Sequence, residues 1–145
     1  MLSMNTYGRE YIDDCRAKIE GQVAAYRETA AAGAALGGEG KARYDAAAEA
    51  FEPVFFNNMV QVLDNYFVHR SRTLEKKDGN ALNEVRVLCT SMTSNDGRLA
   101  ADKQIRLNPE KSVLGYKAGD VIALRENHFQ LLAKAFFAEI EAKFL

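Results

Sequence analysis

The stretch VFFNNMVQVLDNYFVHRSRTL, residues 54–74, decides the fold of this chain. Its large apolar side chains recur at helical spacing, about 100° per residue, and cover one continuous arc of the helix. They are Phe55, Phe56, Met59, Val62, Leu63, Tyr66, Phe67 and Leu74. Arg70 falls near the middle of this arc. Because an unpaired buried charge is very costly, Arg70 is expected to have an ionic partner or to reach water.

Arg70 is predicted to form a structural ion pair. Glu139 is the leading partner because it lies at the edge of the apolar face of the last helix, and Glu84 is the second because it follows Arg70 after a short turn. Two alternatives stay open. Arg70 could extend to water near its helix end, or its guanidinium could bind a small anionic ligand through carboxylate or phosphate oxygens. The candidate ligand-binding residues are then Arg70, His69, Tyr66, Glu139 and Glu84.

Helical periodicity continues on both sides of this stretch. It predicts helices over about 6–32, 41–75, 81–92 and 126–144. Pro53 lies within the second of these and predicts either a kink or a split into two helices. Asn80 is the predicted N-cap of the third helix.

The other segments predict a flexible connection and a small β element. Alanine and glycine dominate residues 30–41, which favours a flexible loop. Short β-branched and alternating runs over 103–125 predict an antiparallel β-hairpin or sheet before the C-terminal helix. The predicted fold is therefore mainly α, a four- to five-helix bundle-like domain in which residues 1–145 form a single unit.

Composition limits the expected cellular location and the expected binding partners. The 145 residues carry 19 basic and 20 acidic side chains, a balance that does not favour nucleic acid or anionic membranes as partners. Two cysteines are too few for a disulfide framework, and no apolar run reaches the length of a signal peptide or a spanning helix. The expectation is a cytoplasmic protein with no membrane partner.

Motifs for catalysis and for metal or cofactor binding are missing from the sequence. Glycine-rich phosphate loops, nucleophile elbows and dinucleotide fingerprints do not occur. The two histidines, His69 and His128, have no neighbours at metal-ligand spacing, so neither a metal nor a cofactor is expected. A basic cluster that includes Arg72, Lys76 and Lys77 could hold phosphates, but without a helix-turn-helix or an excess of positive charge nucleic-acid binding is not expected.

The sequence favours a non-enzymatic binding or interaction protein. Its alanine-rich first half carries a narrow apolar stripe, and homodimerisation through that half is a hypothesis. The alternatives are a small-ligand or anion-binding protein, or an enzyme with a site built from Arg70, His69, His128 and Glu139. A second pattern, Asn57, Gln61, Asn65 and His69 at steps of four, indicates a solvated helix face, or else a groove that uses the amides for hydrogen bonds.

Overall fold

The computed structural model describes residues 2–145, and this part of the chain contains five helices. They are α1 (Arg9–Ala34), α2 (Gly40–Tyr66), α3 (Arg72–Glu75), α4 (Ala81–Ser94) and α5 (Glu126–Phe144). The mainly α fold is thus confirmed. The core lies between α2, α4 and α5, where Phe56, Leu63, Leu88 and Phe136 are fully buried, and α1 packs along α2 and α5.

Helices α1 and α2 are antiparallel neighbours. At one end the Tyr11 hydroxyl donates to the carbonyl of Tyr66, and at the other the Tyr44 hydroxyl donates to the carbonyl of Ala30 at 3.2 Å. Gly33 permits this second contact, because a Cβ at Gly33 would overlap the Tyr44 ring.

Pro53 does not split α2, which is continuous from Gly40 to Tyr66. A proline inside a helix leaves the carbonyl four residues earlier without its usual donor. Here that carbonyl belongs to Glu49, and it accepts a hydrogen bond of 2.8 Å from Nη1 of Arg125. A side chain from the start of α5 therefore supplies the donor that Pro53 lacks.

The C-terminal end of the second predicted helix was wrong. Helix α2 ends at Tyr66, so Arg70 lies outside it, and α3 is a separate single turn capped by the Ser71 hydroxyl. Between them, the backbone of Met4 lies beside Arg70. The Met4 amide donates to His69 at 2.7 Å and its carbonyl accepts from Ser71 at 2.8 Å. These hydrogen bonds pair residues 69–71 with Met4, beyond the end of α2 at Tyr66.

The connection between α1 and α2 is shorter than predicted. Helix α1 continues through Ala34 and α2 begins at Gly40, so residues 35–39 form the turn. The alanines of 30–34 follow their high helix propensity, and the expected loop over 30–41 was wrong in extent.

The predicted β-hairpin or sheet does not form. Residues 98–125 contain no strand within the described chain, only one isolated antiparallel bridge between Arg98 and Val121. Helix side chains form some of the hydrogen bonds of this segment. Asn57 of α2 accepts from the amide of Leu124 at 3.0 Å and donates to the carbonyl of Ile122 at 2.8 Å. Each of these bonds occupies a backbone group that a neighbouring strand would otherwise bind.

Candidate functional site

The distal parts of α1 and α2 extend past the beginning of α5. Arg27 pairs with Glu126 at 2.6 Å and Arg125 pairs with Glu52 at 3.1 Å, so the start of α5 contacts both helices at this level. We call residues 28–48, beyond it, the arm. Nine of its 21 residues are alanine. Gly33 is the only buried residue of the arm, all of which the structure describes. The arm therefore buries little of its own surface.

An apolar groove runs along one side of this helix pair. Its volume is about 670 Å³, and none of its ten lining residues is charged. Alanines form much of the surface, and Tyr26, Tyr44, Phe51 and Phe55 supply its aromatic rings. We call this surface the arm groove. Soluble monomers seldom expose large contiguous apolar surfaces, which commonly mark interaction sites.

The aromatic rings of the arm groove continue into the core. Phe55 stacks on Tyr26 with ring centroids 5.1 Å apart, and it meets the buried Phe56 edge-on at 5.0 Å. Phe51 is the outermost ring, 6.0 Å from Phe55, and 51% of it is exposed. The groove is therefore anchored at Phe55 and has a protruding ring at Phe51.

The second candidate centre is Arg70, whose side chain is fully buried. Its Nε donates to Glu75 at 2.6 Å and one Nη donates to Asp64 at 2.8 Å. The same guanidinium also donates to the carbonyls of Phe67 at 3.1 Å and Leu82 at 3.2 Å. Four protein acceptors thus occupy the guanidinium.

Glu75 links Arg70 to a second arginine. Its fully buried carboxylate accepts from Arg70, from Asn83 at 2.9 Å, and from Arg86 at 2.7 and 3.0 Å. Burial would raise the pKa of Glu75, but the hydrogen bonds and positive charge of Arg86 and Arg70 outweigh it, so this pKa lies below its ordinary value. The carboxylate therefore stays ionised inside the protein.

Both predicted partners of Arg70 were wrong, although the predicted kind of interaction, an internal ion pair, is present. Glu139 pairs with Lys143 at 2.9 Å on the same helix. Glu84 is buried and accepts from the backbone amides of Val113 at 2.8 Å and Leu114 at 2.9 Å. Burial raises the pKa of Glu84, and these two amides only partly oppose that rise. The real partners are Asp64, six residues before Arg70 in the last turns of α2, and Glu75, five residues after it at the end of α3.

The other candidate residues do not converge with these carboxylates on one cavity. His69 is exposed beside Arg70, and Tyr66 is half-buried at the end of α2. His128 lies in the first turn of α5, where its Nδ1 accepts from the Arg125 amide at 3.1 Å. The structure thus gives His128 a capping role, and it keeps Tyr66, His69 and Arg70 as neighbours in the chain only.

Side chains that the sequence interpretation did not single out hold the centre together. Asp64, Glu75, Asn83 and Arg86 surround Arg70. Asn57, from the predicted solvated stripe, binds the irregular segment instead. Glu75 follows Arg70 closely in sequence, which could have pointed to the pair. No spacing pattern in the sequence marks Asn83, because its position is set by the buried Glu75 carboxylate to which it donates.

The chemistry available in the described residues is limited. Burial raises the pKa of the Cys89 thiol to about 12, far from the range of a nucleophilic cysteine. Within residues 2–145 no three histidine, cysteine, aspartate or glutamate side chains gather as metal ligands. In the same residues, no helix combines the length and the apolar character needed to cross a bilayer. No protein-family model, curated protein or solved structure matches this chain.

Proposed function

We propose that this is a non-enzymatic interaction protein that acts as a homodimer, joined through the arm groove. The observation that carries the proposal is the uncharged, aromatic-rich groove that runs along α1 and α2 and continues onto an arm that buries almost nothing of itself. A helix with an apolar face is stable when another element covers that face. A second copy of the chain is the occupant that the following features favour.

The arm groove is suited to a contact with its own copy. In a twofold dimer the same surface is present on both partners, so it must offer both a projection and a recess. The half-exposed Phe51 is the projection, and the alanine-lined groove beside it is the recess. A twofold axis also brings identical side chains close together, and a groove without charged lining residues avoids like-charge repulsion there.

A site for an anion or a substrate around Arg70 has less support. Its guanidinium is bound to Asp64, Glu75 and two carbonyls, and its side chain is fully buried. An incoming anion would have to displace two carboxylates that are already ionically paired.

Light scattering coupled to size exclusion, run over a range of protein concentrations, tests the dimer. The wild-type chain is expected at twice the mass of one chain, and Phe51→Glu at the mass of one, because a carboxylate in the groove would be desolvated without a partner. Leu131→Glu is the matched control, since Leu131 is 56% exposed on α5 and outside the groove. It should remain dimeric. A wild-type chain that stays monomeric at every concentration, or equal behaviour of the two variants, would refute the proposal.

A further inference from the structure

The charge of the protein is balanced overall but separated at one end. Residues 64–77 contain two acids, Asp64 and Glu75, and both are turned inward onto Arg70. The other bases of the same segment, Arg72, Lys76 and Lys77, are exposed. Within this segment both acids are therefore paired inside the protein with Arg70, whereas three positive charges face solvent.

A neighbouring loop adds two more bases to this surface. The amide of Arg106 donates to the carbonyl of Lys77 at 3.1 Å, and the Lys77 ammonium donates to Gln104 at 3.1 Å, which places Lys103 and Arg106 beside it. In residues 2–145 none of the five bases has a carboxylate within 4.0 Å.

Two exposed acids border these bases, and both are engaged within their own turns. Asp78 accepts from Asn80 at 2.8 Å, and Asp102 accepts from the backbone amide of Gln104 at 2.7 Å. They reduce the local charge, from five positive groups to a net of three, without forming ion pairs with the bases.

Exposed apolar side chains occur in the same part of the chain as the bases. Val68 and Leu74 are on the same segment, 46% and 36% exposed. Met4 joins them because its backbone is hydrogen-bonded to His69 and Ser71, and the exposed Leu2 precedes it by two residues. We call this surface, the five bases with these four apolar residues, the basic end.

The backbone of Lys76 gives an independent reason to look for a ligand here. Lys76 has φ 66° and ψ −175°, a region that is essentially restricted to glycine. A glycine would adopt this conformation without strain, so the lysine side chain is kept at a cost in stability. Strain of this kind is typical of residues that are used in binding.

We propose that the basic end binds the surface of an anionic phospholipid membrane. Bases attract the lipid phosphates while neighbouring apolar side chains enter the boundary of the acyl chains, and such a contact requires no spanning helix. The apolar residues favour this partner over a nucleic acid, whose backbone offers them no apolar surface. The expectation of no membrane partner rested on the overall charge and the absence of a spanning segment, and neither describes this local surface.

Flotation with vesicles of phosphatidylcholine alone, or mixed with phosphatidylglycerol, tests the proposal. The wild-type chain should bind the mixed vesicles, dissociate from them at high salt, and not bind the neutral ones. Removing one base should weaken partitioning about fivefold, as for a contribution of roughly 1 kcal/mol per base. Combining Arg72→Gln, Lys76→Gly and Lys77→Gln should weaken it about a hundredfold.

Lys76→Gly separates binding from folding, because relief of strain should raise Tm by about 4 °C while membrane binding falls. The control is Lys134→Gln, which removes an exposed base of α5 and should bind as the wild type does. Absence of binding to the mixed vesicles, equal binding to neutral vesicles, or equal losses in Lys134→Gln and Lys76→Gly would overturn the proposal. Binding of a single-stranded oligonucleotide in place of vesicles would overturn it in favour of nucleic acid.

Discussion

The cluster around Arg70 is the most enclosed polar group of the molecule. In the described residues no buried side-chain nitrogen or oxygen lacks a hydrogen-bond partner, so this cluster is fully satisfied. Removing one member of such a group strands the others, which costs more than the group contributes as a whole. Arg70 and Glu75 therefore link α2, α3 and α4 through Asp64, Asn83 and Arg86.

Glu75→Gln tests this at neutral and acidic pH. It should lower the free energy of unfolding by about 3 kcal/mol at pH 7, because Arg70 and Arg86 lose their shared carboxylate. The pKa of Glu75 is lower in the folded state than its ordinary value of 4.5, so its stabilisation is present above that value and is lost as the pH falls. Urea denaturation should show the gap between variant and wild type narrowing in acid. A gap that does not change with pH would contradict this account.

The sequence predicted the burial of Arg70 and its ionic pairing, but not its partners. Burial follows from the apolar neighbours of Arg70, which are visible in the sequence. The predicted partners, Glu139 and Glu84, followed from treating residues 67–75 as helix. On a continuous helix the Arg70 side chain would face another helix. The backbone of Met4 and the cap at Ser71 bend the chain instead, and this brings Asp64 and Glu75 to the guanidinium. Such bends depend on contacts that are distant in sequence and carry no periodic signal.

At the scale of elements, amphipathic spacing located the helices well. The last helix was predicted at its observed bounds, and Asn80 caps α4 by accepting from Leu82 at 2.9 Å and Asn83 at 3.2 Å. The β prediction failed because residues 121–124 do resemble a strand, while the Ile122 carbonyl and the Leu124 amide bond to a helix side chain instead of a neighbouring strand. Local sequence does not reveal that a mid-helix amide such as Asn57 will be the partner.

Two glycines of α1 should respond differently to the same substitution. Gly21→Ala should stabilise the protein by about 1 kcal/mol, since no atom lies near its new Cβ and alanine favours helix. Gly33→Ala should lose that gain, because the Tyr44 ring must move and give up its hydrogen bonds to α1. Thermal unfolding of both variants measures the difference. Equal Tm increases would show that the contact between Gly33 and Tyr44 does not constrain the arm.

Over the whole molecule, the buried carboxylate of Glu84 is one of the groups that hold the long irregular segment on the bundle. Glu84 accepts from two adjacent amides, and glutamine offers one acceptor in its place. Glu84→Gln should therefore speed amide exchange at Val113 and Leu114, at a cost of about 1–3 kcal/mol for the unpaired donor. Hydrogen exchange read by mass spectrometry measures this directly. Glu110→Gln, in an exposed part of the same segment, is the control and should leave exchange unchanged.

The arrangement of the whole molecule was the part that sequence predicted least. Alanine content indicated that the first half of the chain buries itself poorly, and the exposed arm agrees with that expectation. The arm groove itself could not be seen in advance, because it depends on how Phe51 and Phe55 lie against an antiparallel neighbour. The basic end could not be predicted for a similar reason. Nearly equal numbers of basic and acidic residues do not show which side chains turn inward.

The hydrogen bonds that Asn57 makes to the irregular segment also affect how copies of this protein can meet. A sheet at that position would have left an outer strand with free amides and carbonyls, to which another chain could add a strand. Here a helix side chain bonds to Ile122 and Leu124, and residues 2–145 contain no strand to extend. Strand addition, the common path to fibrous aggregates, therefore has no template in the folded protein. Copies that associate as proposed above therefore do so through side chains, and a single substitution can test that contact.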